Sequence, residues 1–127
     1  MSPAPKDRVF KTARFSKNAR KAKINDAMLC AAIAQVMAGQ ADDLGGGVFK
    51  KRLNDNLHRS IILAKGATYW IYEFLYAKKD RDNIDDDELL AFRLLAKSYA
   101  GLTEPQVSQL LAAGDFLEIC NEIDNAP

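Results

Sequence analysis

The sequence predicts an α+β domain, an antiparallel sheet with helices laid on it, and two observations carry that prediction. Three segments, over residues 48–53, 58–64 and 68–76, alternate with a period of two, and the short turns between them join neighbours running in opposite directions. The segments around them repeat at helical spacing and are bounded by capping residues.

Residues 1–7, with two prolines and no periodicity, are expected to be a disordered leader. Alternation over residues 9–15 suggests a first strand, after which Ser16 is the expected N-cap of a short basic helix. The next helix is better marked. Asn25 suits its N-cap, Asp26 complements the dipole, Leu29, Ala32, Ile33 and Val36 recur at i, i+3, i+4 and i+7, and Gly39 ends it. Together these helices form an N-terminal pair on an apolar surface.

The DDLGGG stretch over residues 42–47 has loop composition, and its glycines read as a hinge because they precede a strand instead of opening a helix. In the strand that follows, Val48, Lys50 and Arg52 share one side and Phe49, Lys51 and Leu53 the other. After the turn at residues 54–56, Arg59, Ile61 and Leu63 share a face of the next strand. A two-residue Gly-X loop is expected around Gly66, leading into an aromatic strand with Trp70, Tyr72, Phe74 and Tyr76 on one face. The first three read as core and Tyr76, at the strand end, as the exception.

Asp85 to Glu88 place negative charge at the start of a third helix, where Leu89, Phe92, Ala96 and Tyr99 mark the apolar side and Gly101 the end. Thr103 and Gln106 form a capping-box pattern for a fourth helix with Val107, Leu110 and Leu111, closed by Gly114. Residues 116–120 are the expected closing strand. The predicted order is β, α, α, β, β, β, α, α, β.

A chain of 127 residues fits one domain, and 48% hydrophobic with 28% charged residues excludes a disordered protein. No apolar run approaches the roughly 18 residues a membrane span needs, and the N-terminus lacks the apolar core of a secretory signal. These features, with Cys30 and Cys120 far apart and flanked by apolar residues, predict a cytoplasmic protein with reduced, buried thiols and no disulfide. The net charge of +1 conceals an asymmetry: residues 1–23 hold eight Lys or Arg against Asp7 alone. Such a basic section suits nucleic acid, and equally a solvated helix face.

One histidine and two separated cysteines exclude a Cys/His zinc site, and no Walker loop, GxGxxG or GxSxG occurs. The acids over residues 80–88 lack the glycine of a calcium loop and read as helix capping. Neither metal nor cofactor is expected. The remaining candidates are cations: Lys50, Arg52, Arg59, Lys78, Lys79 and Arg81, which converge if their strands share one sheet. Lys and Arg stabilise the charge on a phosphorane when the RNA 2′-hydroxyl attacks its neighbouring phosphate. Tyr76 suits base stacking, and lone His58, near a strand start, reads as a structural or surface residue with acid/base chemistry as the alternative. Solvated surface is the competing reading for all of them.

Three segments, RVFKTARFSKNAR (residues 8–20), DLGGGVFK (residues 43–50) and AKKDRDNIDDDEL (residues 77–89), resemble the RelE-like toxins of type II toxin–antitoxin systems, and within them the HigB-like branch of translational repressors. The resemblance implies a RelE-like fold, a twisted antiparallel sheet packed on an N-terminal helical pair, with two C-terminal helices and a closing strand. It further implies metal-independent mRNA cleavage, commonly on the ribosome, and a helix-turn-helix antitoxin that carries the complex to operator DNA. The matching positions are Lys50, Arg52, Arg59, Lys78 and Arg81; with them, Lys78, Arg81 and Arg59 are expected to be catalytic and Lys50, Arg52, His58, Tyr76 and Lys79 to bind RNA. The alternatives on this fold are a non-catalytic gyrase inhibitor resembling ParE, and a co-repressor acting only with its antitoxin.

Overall fold

The structure, a computed structural model, describes residues 7–66 and 68–120, so the leader expected at the N-terminus lies, Asp7 apart, outside the described residues. The elements are β1 (Arg8–Thr12), α1 (Ala13–Lys21), α2 (Asp26–Met37), β2 (Asp42–Gly45), β3 (Val48–Leu53), β4 (His58–Lys65), β5 (Tyr69–Ala77), α3 (Asp86–Ala100), α4 (Glu104–Ala113) and β6 (Phe116–Ile119). The α+β class holds. The sheet order is β2-β3-β4-β5-β1-β6, and β1 runs parallel to β5 while every other pair is antiparallel, so the sheet is mixed. Hairpin turns set the direction of sequential strands, but β1 and β5 are not sequential and no turn signal could report their pairing.

β1 is shorter than its alternation suggested because Thr12, not Ser16, caps α1: the Thr12 hydroxyl accepts the Phe15 N–H at 3.1 Å. Asn25, Asp85 and Thr103 cap the other helices as expected, the last two with complete capping boxes. The pair α1 and α2 covers one sheet face. Phe15, Leu29, Ile33 and Val36 pack there against Ile62, Tyr72 and Leu75, and the Tyr72 hydroxyl donates to the Leu29 carbonyl at 2.7 Å. On the other face α3 covers Val48, Ile61 and Leu63, while Val107 of α4 packs with Phe10, Ile71 and Phe116. Each of these side chains contributes on the order of 1.5–3 kcal/mol by leaving water.

The stretch expected as a loop forms β2, a short edge strand paired with β3. Its glycines then make the β2–β3 turn, with positive φ at Gly45, Gly46 and Gly47. A Cβ at Gly46 would stand 2.7 Å from the Arg93 side chain, which crosses the turn and donates to the Leu44 and Gly45 carbonyls. The glycines admit α3 closely. The β4–β5 connection has three residues between Lys65 and Tyr69 in place of the expected two.

A bulge in β5 revises the faces of the aromatic strand. Ile61 pairs with Phe74 and Ile62 with Tyr72, leaving Glu73 extra. Trp70 and Tyr72 therefore face α1 and α2, whereas Phe74 and Tyr76 face α3. Glu73 accepts the Tyr99 hydroxyl at 2.6 Å. Burial raises its carboxyl pKa above 4.5, against opposing effects from the Tyr99 hydrogen bond and Arg14. A raised carboxylate contributes stability that is full below its unfolded pKa and lost as pH rises through the folded one. Melting curves of Glu73→Gln and the native chain should therefore coincide near pH 4 and separate toward pH 7, with the variant the more stable; a pH-independent gap would contradict this.

Cys30 and Cys120, expected as free thiols, form a disulfide. β6 lies beside β1 at the sheet edge and delivers Cys120 to α2, with the two Cα atoms 5.4 Å apart across 90 residues of sequence. Spacing in sequence carries no trace of that approach. No described helix is long and apolar enough to cross a membrane.

Candidate nucleic-acid interface

Arg52 of β3, Arg59 of β4 and Tyr76 of β5 stand directly opposite one another across three adjacent strands. Their side chains form one row on the α3 face of the sheet, in which Arg52 is exposed while Arg59 and Tyr76 are buried. Like charges directly opposite on paired strands repel, so Arg52 beside Arg59 destabilises the folded chain unless an anion joins them.

Arg59 is 6% exposed, and among the described residues no carboxylate lies within ion-pair distance of it. Buried arginines are normally paired, because an uncompensated charge is expensive to hold away from water. Two backbone carbonyls orient this one: its Nη1 donates to Asn56 at 2.9 Å and to His58 at 3.2 Å. The turn that presents the Asn56 carbonyl has Asn54, Asp55 and Asn56 at φ of 55°, 53° and 72°, the left-handed region that Asn and Asp tolerate better than most residues. Strained backbone thus serves to aim a guanidinium.

Tyr76 is buried and its hydroxyl donates to the Asp82 carbonyl at 3.2 Å. Burial pushes the phenol above its ordinary pKa, while Arg59 and Arg81 pull it partly back. It stays protonated at neutral pH. Arg81 lies 5.5 Å from the centre of the Tyr76 ring and holds Glu88 in a two-pronged ion pair, which keeps the Glu88 carboxyl below its usual range. Its charge is thereby compensated. Lys50, on the same face as Arg52, donates to Asn83 at 2.7 Å and stands 3.7 Å from Asp42.

The six cations do not all meet on one face. His58 faces the α1 side with Leu53 and Ala77, and Lys78 and Lys79 are exposed beyond the end of β5. These three line a depression of about 600 Å³ with Lys21, Ala22, Leu57 and Asp82. An adjoining depression of about 450 Å³ connects the two groups, since Asn18 and Lys21 of α1 meet His58, Tyr76 and Arg81 there. β1 pairs with β5 only as far as Tyr72, and α1 occupies the vacated flank of β5. The arrangement sets two guanidinium groups opposite each other on paired strands, with the Tyr76 ring next in the row. Asn18, Lys21, Asn83 and Glu88 escaped the sequence reading; only the unbroken basic run of α1 hinted at the first two. Among the described residues, no three His, Cys, Asp or Glu side chains are placed to hold a metal ion.

A family model described as the RelE toxin of the RelE/RelB toxin–antitoxin system matches residues 7–119. No curated protein and no solved structure matches the chain.

Proposed function

The chain belongs to the RelE toxin family and is the toxin of a toxin–antitoxin system with a cognate antitoxin; from that premise we propose that it is an endoribonuclease that cuts mRNA on the ribosome. The supporting observation is buried Arg59, without an acidic partner among the described residues and opposite a second arginine. In this reading the 2′-hydroxyl of one nucleotide attacks the adjacent phosphorus, and the 5′-oxygen of the next leaves, giving a 2′,3′-cyclic phosphate and a new 5′-hydroxyl end. Arg52 and Arg59 stabilise the charge that accumulates on the phosphorane oxygens, an effect worth about 2.7–4 kcal/mol for one well-placed donor. Tyr76 stacks or hydrogen-bonds the base, Lys50 and His58 hold neighbouring backbone, and Lys78 and Lys79 extend the contact along the rim. Arg81 joins the site when substrate phosphate competes with Glu88. The antitoxin is a helix-turn-helix protein that covers this face and carries the complex to operator DNA.

Induced without its antitoxin, the chain should arrest growth and fragment mRNA, with cuts mapped by primer extension. Arrest with intact mRNA and inhibited supercoiling by purified gyrase would overturn the nuclease reading in favour of a gyrase poison. Absence of any arrest would leave a co-repressor.

A further inference from the structure

Helix α1 carries charge that the reactive row does not use. Arg14, Lys17, Arg20 and Lys21 are exposed on it, with Lys23 just beyond, and no acidic residue occurs between Asp7 and Asp26. Among the described residues none of these five makes a salt bridge, whereas Lys11, at the end of β1, is paired with Asp26. Phe15, Ser16 and Ala19 bury the opposite side of the helix.

The arrangement on the cylinder is specific. Arg14, Lys17 and Lys21 recur at i, i+3 and i+7, a single stripe in which successive charges rise by about 4.5–6 Å. The stripe also has a fixed position relative to the site. Arg14 stands 5.6 Å from the centre of the Phe74 ring at one end, and at the other Lys21 lines both depressions with His58, Tyr76, Lys78, Lys79 and Arg81. The carboxylates on this rim are Asp80 and Asp82, with Glu88 held by Arg81 and Glu73 bonded to Tyr99. Cations predominate along the whole path.

We infer that the α1 stripe of Arg14, Lys17 and Lys21 binds the sugar–phosphate backbone of the same RNA strand, as a sequence-independent rail running on from the cleaved nucleotide. This rests on the nuclease reading above and adds a second contact region. The ligand is RNA backbone because the stripe offers exposed cations on a helix surface, two of them flexible lysine point charges, with no exposed aromatic ring of its own to stack a base. An acidic segment of a protein partner is the competing occupant.

The test uses the purified full-length chain and a fluorescent RNA oligonucleotide with 2′-deoxy substitution throughout the candidate cleavage positions, so that binding is read without turnover. Anisotropy titrations between 50 and 300 mM salt should give a log–log slope that is shallower by about 1.4 for Lys17→Gln/Lys21→Gln, at about 0.7 per lost contact with a single strand. Adding Arg14→Gln should take the loss to about 2, with affinity near 100 mM salt weakened by about tenfold to a hundredfold. Lys17→Arg/Lys21→Arg should restore the native slope. Lys65→Gln/Lys97→Gln, which removes the same charge elsewhere, should leave it unchanged. Equal slopes for the native and Gln chains would overturn the rail while leaving cleavage at Arg59 standing. Weakened binding to the antitoxin with unaltered RNA affinity would assign the stripe to a protein partner instead. A native chain that cleaves no mRNA even on translating ribosomes overturns the nuclease reading, and one that also fails to bind the oligonucleotide overturns both.

Discussion

Replacing Arg59 with glutamine should lower the single-turnover rate of RNA cleavage by about a hundredfold to a thousandfold, the loss expected for one donor aimed at developing charge. The same change removes a buried positive charge that has no acidic partner among the described residues, so the variant should melt no lower than the native chain. Opposite movements of activity and stability distinguish a group held for chemistry from one held for packing. Arg59→Lys should recover little, because a point charge cannot both use the Asn56 and His58 carbonyls and present a flat fork to phosphate. A variant that cuts at the native rate, or that loses rate only in proportion to unfolding, would remove Arg59 from the reaction.

The second large effect concerns the Cys30–Cys120 bridge. It closes a loop of about 90 residues, and loss of such a cross-link commonly costs about 2–5 kcal/mol. Urea titration of Cys30→Ser/Cys120→Ser should show the midpoint displaced downward by that free energy divided by the m value, and reductant should shift the native chain by a comparable amount while leaving the variant unaffected. Thiol titration of the unfolded, unreduced protein should find neither cysteine free; two titratable thiols would refute the bond. The reactive row lies on β3, β4 and β5, away from both cysteines, so cleavage by the variant should persist wherever it remains folded.

The helices were legible because their signals are local. Asn25, Asp85 and Thr103 each accept a backbone N–H three residues on, and the apolar positions of α2 fall at one spacing. The β3–β4–β5 meander was legible for the same reason, and it brought Lys50, Arg52, Arg59 and Tyr76 to one end of a sheet. What escaped was non-local. The Glu73 bulge inverts the facing of everything after it, so alternation put Trp70 and Tyr72 beside Tyr76 when they lie on opposite sides. The parallel placement of β1 turns α1 toward the end of β5, and only then do Asn18 and Lys21 border the site. Charge was visible in Lys78, Arg81 and Arg59 alike, but its compensation was not: Glu88 neutralises Arg81, whereas no described acid neutralises Arg59.

The position of β1 also has a kinetic consequence. Arg8 pairs with Tyr69 and Val9 with Ile119, so the first strand cannot be seated until β5 has been made, and its second neighbour arrives only near the end of the chain. Strands β2 to β5, in contrast, pair with one another in sequence order, β5 alone also taking β1, and can zip up as each hairpin leaves the ribosome. Arg52, Arg59 and Tyr76 come into register within the meander itself, while the α1 flank waits for β1 to dock on β5 and the covalent clasp at Cys120 waits for the end of synthesis. A nascent toxin of this topology assembles the surface proposed for RNA before its fold is closed, and an antitoxin that recognised the meander alone could restrain it during that interval.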